Sequence, residues 1–281
     1  KPDLSGFFYG ALFMPELPEV ETTRLGLSAI INQVVTAVDV RQPRLRQQVP
    51  TELTQIIGQT CQSLQRRGKY LILETSQGSA IIHLGMSGSL RLTSSTEPYR
   101  KHDHVCLNFA NGQALRFHDP RRFGVFLWLT TPPLEHPLLA ALGVEPLTEA
   151  FTAEYLFERS RNKRIAIKSF IMDSHVVVGV GNIYANEALF AAQIHPLTPA
   201  NKVDLAAYQR LRQYIYQILQ AAIIRGGTTL RDFVNSKGEM GYFQQELMVY
   251  GKEGKPCIIC QTPLQLVRIN NRSTIYCSQC Q

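Results

Sequence analysis

No apolar run in these 281 residues approaches the roughly 20 that a membrane-spanning helix needs, which excludes a helical membrane protein. No segment repeats and no tract is of low complexity, so solenoid and disordered-linker architectures are excluded as well. Cysteine is scarce before residue 257. Cys61 and Cys106 stand alone in apolar surroundings and are expected in the core. The opening KPDLSGFFYGALF has a short apolar run, one basic residue and no small-residue cleavage pattern, so it does not read as a signal peptide. It also lacks an initiating methionine. Residues 1–13 are therefore expected to be a non-native or misassigned extension, with the start at Met14. Without a secretory signal, a reducing interior is favoured, and there clustered cysteines bind metal before they form disulfides.

What is present is a globular composition, 44% hydrophobic, long enough for two domains and a small appendage. The net charge of +7 is uneven: residues 1–150 hold 14 Lys+Arg against 13 Asp+Glu, and residues 151–281 hold 15 against 9. A basic second half points to a polyanion, nucleic acid first and an anionic membrane second.

Apolar spacing predicts a first helix over 19–31 and a short one over 51–57. Between and after them, β-rich runs at 34–40, 61–64, 70–74, 79–84, 89–92, 104–109, 114–118 and 125–129 are separated by turn signals, as in an antiparallel sandwich or barrel. Residues 132–146 read as a connector. Helical periodicity follows at 153–161, 163–172, 183–192, 205–225 and 230–234, with Gly226-Gly227 ending the longest.

Cys257-x-x-Cys260 and Cys277-x-x-Cys280, separated by 16 residues, have the spacing of a closed tetrahedral four-cysteine site for one structural zinc. Two disulfides or an iron–sulfur cluster are the other readings. Arg268, Asn270-Asn271 and Arg272 lie between the knuckles and suggest a basic finger with a turn at its tip. At the other end, Met14-Pro15-Glu16-Leu17-Pro18-Glu19 reads as a Pro-rich helix entry. It also reads as a nucleophile: with Met14 removed, Pro15 carries a free secondary amine that can form an iminium, with Glu16 as its proton donor or acceptor. While Met14 stays attached, that nitrogen is an amide and has no reactive lone pair. Lys101-His102-Asp103-His104 lacks a third ligand at suitable spacing and is not read as a metal cluster. Val178-Gly179-Val180-Gly181 opens a helix without a surrounding βαβ unit, which argues against a dinucleotide fold.

Pro15-Glu16-Leu17-Pro18-Glu19-Val20-Glu21-Thr22 resembles the N-terminal signature of formamidopyrimidine-DNA glycosylases, and further motifs follow in that family's order to the C-terminus. The resemblance implies an α+β fold: an N-terminal antiparallel β-sandwich with flanking helices (14–146), a helical domain with a helix–two-turns–helix motif (147–241) and a C-terminal four-cysteine zinc finger (242–281). It makes Pro15 the nucleophile and Glu16 the acid at the sugar ring oxygen. Lys69, after Arg66-Arg67-Gly68, becomes a proton shuttle, and Arg272 assists the second elimination. His83-Leu84-Gly85-Met86-Ser87-Gly88 is similar to the turn whose methionine, Met86, fills the gap left by a flipped nucleotide. Asp119-Pro120-Arg121-Arg122-Phe123-Gly124 is similar to the loop whose Arg121 faces the orphaned base and whose Phe123 wedges the stack. His102, Lys163 and Asn182 are implied phosphate contacts. Lys163 is expected on a basic helix face with Arg161, Arg164 and Lys168. Gly226–Phe243 resembles the loop that closes on the lesion.

The implied activity is base-excision repair. The enzyme would excise oxidised purines (8-oxoguanine, formamidopyrimidines) from duplex DNA through an N-terminal proline iminium, then cut the strand by β,δ-elimination. Zinc would be structural, the partner double-stranded DNA carrying oxidised purines or abasic sites, and the setting the bacterial cytoplasm and nucleoid, with the protein a monomer and no membrane role. Three alternatives are the sister group that removes oxidised pyrimidines, a non-catalytic zinc-finger DNA-binding protein, if the extension keeps Pro15 blocked, and a zinc-dependent binding module with no DNA role, against which salt-sensitive duplex affinity would argue. Leu17, the Met86 turn and Arg121-x-Phe123 favour the purine group.

Overall fold

A computed structural model describes residues 14–227 and 246–281. The extension 1–13, the predicted helix 230–234 and most of the lesion-loop resemblance at 226–243 lie outside the described residues.

Helix α1 (Leu17–Gly26) has Pro18 and Glu19 in its first turn and Arg24 in its last, each charge favourable to the helix dipole. It is shorter than the predicted 19–31: Gly26 weakens the helix, and the chain turns through a 3₁₀ segment at Ser28–Ile30 instead. Eight strands follow: β1 (Val35–Val40), β2 (Ser63–Arg67), β3 (Tyr70–Glu74), β4 (Ser79–His83), β5 (Ser89–Ser94), β6 (Asp103–Phe109), β7 (Gln113–His118) and β8 (Val125–Leu129). They form two antiparallel four-stranded sheets, in the orders β1-β6-β7-β5 and β2-β3-β4-β8. Alternate residues explain the layering. Leu71, Leu73, Ala80 and Ile82 face the main core, while Ile72 and Ile81 face a second apolar cluster with Leu139. The residues read as a plain connector contain a short helix α2 (Pro137–Ala140), and its Leu139, with Leu142, covers that outer face.

The helical part comprises α3 (Ala153–Ser160), α4 (Ile167–Ile171), α5 (Asn182–Ala191) and α6 (Leu205–Ile224). The Asp204 side chain caps α6 by accepting the Ala207 N–H at 2.7 Å. Gly226 and Gly227 end it with positive φ. α6 buries Leu211, Ile215, Leu219 and Ala222. The chain closes with the hairpin β9 (Gln265–Ile269) and β10 (Arg272–Tyr276). It turns through Asn270 and Asn271 at φ 48° and 60°, the left-handed pair that a two-residue hairpin requires. Among the described residues, no helix is long and apolar enough to cross a membrane.

The predicted helix over 163–172 is reduced to α4. Ala166 is extended and bridges Pro199, Ile167 N–H donates to Thr198 O, and Ala200 N–H to Ile165 O. Pairing with this neighbouring segment outweighs the local helical tendency.

Candidate active site and metal centre

Helix α5 is preceded at its N-cap by Gly181, which has no side chain to cap it. The cap comes from Glu16, far away in the chain and 4% exposed. Glu16 Oε2 accepts the Gly181 N–H at 2.8 Å and Oε1 the Ile183 N–H at 3.0 Å. A helix N-terminus holds an anionic group through orphan N–H groups and the helix dipole. Glycine is required at 181 because a Cβ there would overlap the Glu16 carboxyl. At Gly179 (φ +83°), a Cβ would lie 2.5 Å from Leu17, whose N–H donates to Gly179 O at 3.1 Å. The glycine loop therefore lets the Pro15–Leu17 segment lie directly on it. Glu19 secures the same segment. Its carboxylate accepts the Glu16 N–H at 2.9 Å and the Tyr184 O–H at 2.7 Å.

Pro15 is buried at this junction, and Met14 lines a cleft of about 270 Å³ with Lys69, His83, Gly181 and Arg272. Burial pushes the Glu16 carboxyl up to about 7, against the opposing pull of Lys69. Lys69 is lowered from the usual lysine value by desolvation, with Arg272 acting in the same sense and Glu16 opposing. Burial pushes His83 down to about 3, and its Nδ1 accepts the Gly85 N–H at 2.9 Å. The cleft thus offers a carboxyl that can give a proton near neutral pH, beside an amine whose hold on its proton is weakened by burial.

Lys69 is placed by a charge network that the sequence did not signal. Glu145, in the connector, accepts from Arg66 (2.7 Å), Arg67 (3.0 Å) and the Gly68 N–H (2.6 Å). Arg66 also pairs with Glu21 of α1 at 2.8 Å. Gly68, at φ +58°, packs against Val178 of the glycine loop. The arginines before Lys69 therefore tie β2 to α1 and to the connector.

The four sulfurs of Cys257, Cys260, Cys277 and Cys280 lie within 4.8 Å of one another, with pairs at 3.4 and 3.9 Å. Four sulfurs about 2.3 Å from a tetrahedral zinc stand about 3.8 Å apart, so the set fits one zinc with no open position. The hairpin carrying Arg272 is tied to the helices. Buried Lys168 donates to Ser273 O (2.9 Å) and Thr274 Oγ1 (2.7 Å), and Asn182 Nδ2 donates to Ser273 O (3.1 Å). Asn186 Oδ1 accepts the Ile275 N–H at 2.8 Å, and Glu187 accepts the N–H groups of Met248, Val249 and Tyr250.

Two family models match the chain: the formamidopyrimidine-DNA glycosylase N-terminal domain over residues 14–126 and the corresponding H2TH domain over residues 142–234. A formamidopyrimidine-DNA glycosylase of Marinobacter nauticus is 56% identical over 270 residues, covering 95% of this chain and all of that protein. One from Vibrio cholerae is 54% identical over 269 residues, with the same coverage. This chain belongs to the formamidopyrimidine-DNA glycosylase family. Among solved structures, a Lactococcus lactis Fpg variant in complex with Fapy-dG-containing DNA superposes with a TM-score of 0.88 at 36% identity, over 95% of this chain and 99% of that one. The Thermus thermophilus MutM (Fpg) protein gives 0.86 at the same identity, over 95% and 98%.

Met86 is half-buried in the β4–β5 turn, and Phe123 is 44% exposed in the β7–β8 loop, its ring 4.8 Å from the Arg121 guanidinium carbon. His102 is half-buried at the start of β6 and shares ring contacts with His104 and His118. Lys163 is exposed in the turn after α3. The expected basic helix face does not form. Arg161 folds back over Phe157 at 3.7 Å and donates to Asn201 O and Val203 O. Lys168, 1% exposed, is spent on the zinc hairpin. Only Lys163 and Arg164 of the four remain exposed, because pairing of 165–167 with 198–200 unwinds the start of that helix. Asn182, expected at a phosphate, also holds the hairpin. Sequence reasoning missed the roles of Glu19, Glu145 and Glu187, and put Lys168 on an exposed face instead of beneath the hairpin. The available signal was a carboxylate or lysine on an otherwise apolar helix face, as at Lys168 and Glu187.

Proposed function

We propose that this chain is a bifunctional DNA glycosylase and abasic-site lyase that excises oxidised purines from duplex DNA in base-excision repair, with Pro15 as its first residue and nucleophile. The observation that carries the reading is the Glu16 carboxyl, buried on the N-terminus of α5 beside Pro15 and raised to about 7. The damaged nucleotide turns out of the stack, because its sugar carbon is inaccessible within it. The Pro15 amine attacks C1′ while Glu16 gives its proton to the ring oxygen, the ring opens and the base leaves. The resulting iminium acidifies C2′–H. Proton removal there expels the 3′ phosphate, and a second elimination, assisted by Arg272, expels the 5′ phosphate. Lys69, lowered by desolvation, carries protons between these steps. Met86, Arg121 and Phe123 occupy the vacated stack, and His102, Lys163 and Asn182 hold phosphates. Zinc, held by Cys257, Cys260, Cys277 and Cys280, supplies folding energy to the finger and no chemistry.

The units we assign are 14–146, 147–241 and 242–281. Metal-binding thiolates and a DNA substrate suit the reducing cytoplasm and the nucleoid, and one lesion on one duplex suits a monomer. Lactococcus lactis Fpg has been solved with Fapy-dG-containing DNA and with abasic-site DNA, which supports the same substrates here.

Borohydride trapping on a duplex with one 8-oxoguanine tests the reading. A chain beginning at Pro15 should give a covalent adduct at Pro15 by intact mass, and the 281-residue chain should bind without trapping. No adduct from folded, zinc-loaded, DNA-binding protein beginning at Pro15 would overturn it in favour of a non-catalytic binder.

A further inference from the structure

Asp119 has no solvent exposure and uses every polar group it has. Its N–H donates to His102 O at 3.0 Å. Its carbonyl oxygen accepts from His104 Nε2 at 2.8 Å and from Arg122 N at 3.2 Å. A carbonyl can only accept, so His104 carries its proton on Nε2. Burial, which lowers His104 from its usual value, agrees with that neutral form.

The two carboxylate oxygens bind two different loops. Oδ1 accepts the Ser87 O–H at 2.8 Å, in the β4–β5 turn, one residue after Met86. Oδ2 accepts the Gly124 N–H at 2.8 Å, one residue after Phe123. Ser87 Oγ in turn accepts the Arg121 N–H at 3.3 Å, so a relay runs Arg121 N–H to Ser87 O–H to Asp119. Glycine permits the approach: a Cβ at Gly85 (φ +66°) would lie 2.5 Å from the Phe123 carbonyl carbon, and one at Gly124 would lie 2.8 Å from His83 O. A carboxylate suits the place because each of its oxygens meets a donor. An amide would turn its own N–H toward one of them.

We propose that Asp119 is a positioning residue that locks Met86, Arg121 and Phe123 into one rigid wedge, so that all three enter the duplex as a unit. The proposal rests on the reading of those three side chains as the group that fills the vacated stack. A wedge ordered before contact loses little conformational entropy on insertion, whereas two separate loops would have to be ordered on the DNA. Asp119 touches no reacting atom, so its effect belongs to nucleotide eversion and to discrimination of the opposing base.

The test uses zinc-loaded protein beginning at Pro15 and the variants Ser87→Ala, Asp119→Asn and Arg121→Ala. Stopped-flow fluorescence of 2-aminopurine beside an 8-oxoguanine reads insertion, and single-turnover excision opposite cytosine and adenine reads discrimination. Borohydride trapping on an abasic site in a single-stranded oligonucleotide, which has no stack to fill, reads chemistry alone. Ser87→Ala and Asp119→Asn should slow the insertion phase by about tenfold and narrow the cytosine-to-adenine ratio, leaving single-strand trapping within about twofold. Ser87→Ala removes one hydroxyl at a half-buried turn and keeps the fold, so it stands should Asp119→Asn not fold. An equal fall on both substrates, or no change in insertion and discrimination for Ser87→Ala, overturns the proposal while Arg121→Ala still alters both. If Arg121→Ala alters neither, the wedge reading fails and the proposal with it.

Discussion

Glu16 Oε2 accepts the Gly181 N–H at 2.8 Å across 165 positions of sequence. One contact thereby caps a helix, joins the N-terminus to the helical half and buries a carboxyl next to Pro15. Burial and the cap pull its proton affinity in opposite directions, and burial wins.

Glu16→Gln keeps an oxygen acceptor for the helix but removes the acid. Base excision should fall by about 10²–10⁴-fold, the usual worth of a positioned proton donor. Duplex affinity should change little. Single-turnover excision beside a fluorescence-anisotropy titration separates the two.

The raised carboxyl also sets two pH dependences. Excision that needs protonated Glu16 should decline as pH rises through about 7, and this falling limb should be absent from the residual rate of Glu16→Gln. For stability, the folded state holds the proton that the unfolded state gives up near 4.5. The stability from this group is therefore present below about 4.5 and lost as pH rises to about 7. Relative to Glu16→Gln, the wild type should lose on the order of 2–3 kcal/mol over that window. Urea titrations of both proteins at pH 4.5 and 8 check the sign.

Gly181→Ala places a methyl where the Glu16 carboxyl sits. Overpacking a closed junction typically costs about 1–3 kcal/mol. Here Glu16 must also leave the helix N-terminus. Melting should drop and trapping should be lost together, whereas Gly112→Ala, with nothing near its Cβ, should show only the strain of its positive φ. Calorimetry and trapping on both variants decide it.

Glu145→Ala leaves Arg66 and Arg67 without their shared carboxylate and the Gly68 N–H without an acceptor. Removing one member of a largely buried charge group costs about 3–5 kcal/mol. Because Gly68 precedes Lys69, strand cleavage should suffer beyond the stability loss. Denaturant titration with elimination rates measured well below the transition would show it.

Chelating zinc should release the hairpin that carries Arg272, since the cysteines are its metal anchor. Hydrogen exchange should rise over 257–281, duplex affinity should fall, and β3 and β4 should stay protected. Exchange mass spectrometry with and without chelator reads all three.

The readable parts of this chain were the ones whose physics is local. The two CxxC pairs predicted a metal site because thiolate spacing is set by a few bonds, and Asn270-Asn271 predicted a tight turn because both residues tolerate left-handed backbone. Strands β3, β4 and β8 were legible from their β-branched and aromatic runs. Local signals failed where a partner came from elsewhere. The 163–172 periodicity is real, yet pairing with 198–200 unwinds its first turn and sends Arg161 and Lys168 inward.

The sequence by itself determined the residue types that chemistry and metal require, and their family. Tertiary structure decided what those residues do. It gave an uncapped α5 a carboxylate from the N-terminus, tied Arg66 and Arg67 to Glu145 of the connector, and joined the Met86 turn to the Arg121–Phe123 loop through Asp119. Glu16–Gly181, Arg66–Glu145 and Ser87–Asp119 are contacts between residues 32 to 165 positions apart. Desolvation and hydrogen-bond satisfaction act on that spatial neighbourhood, which no local spacing encodes.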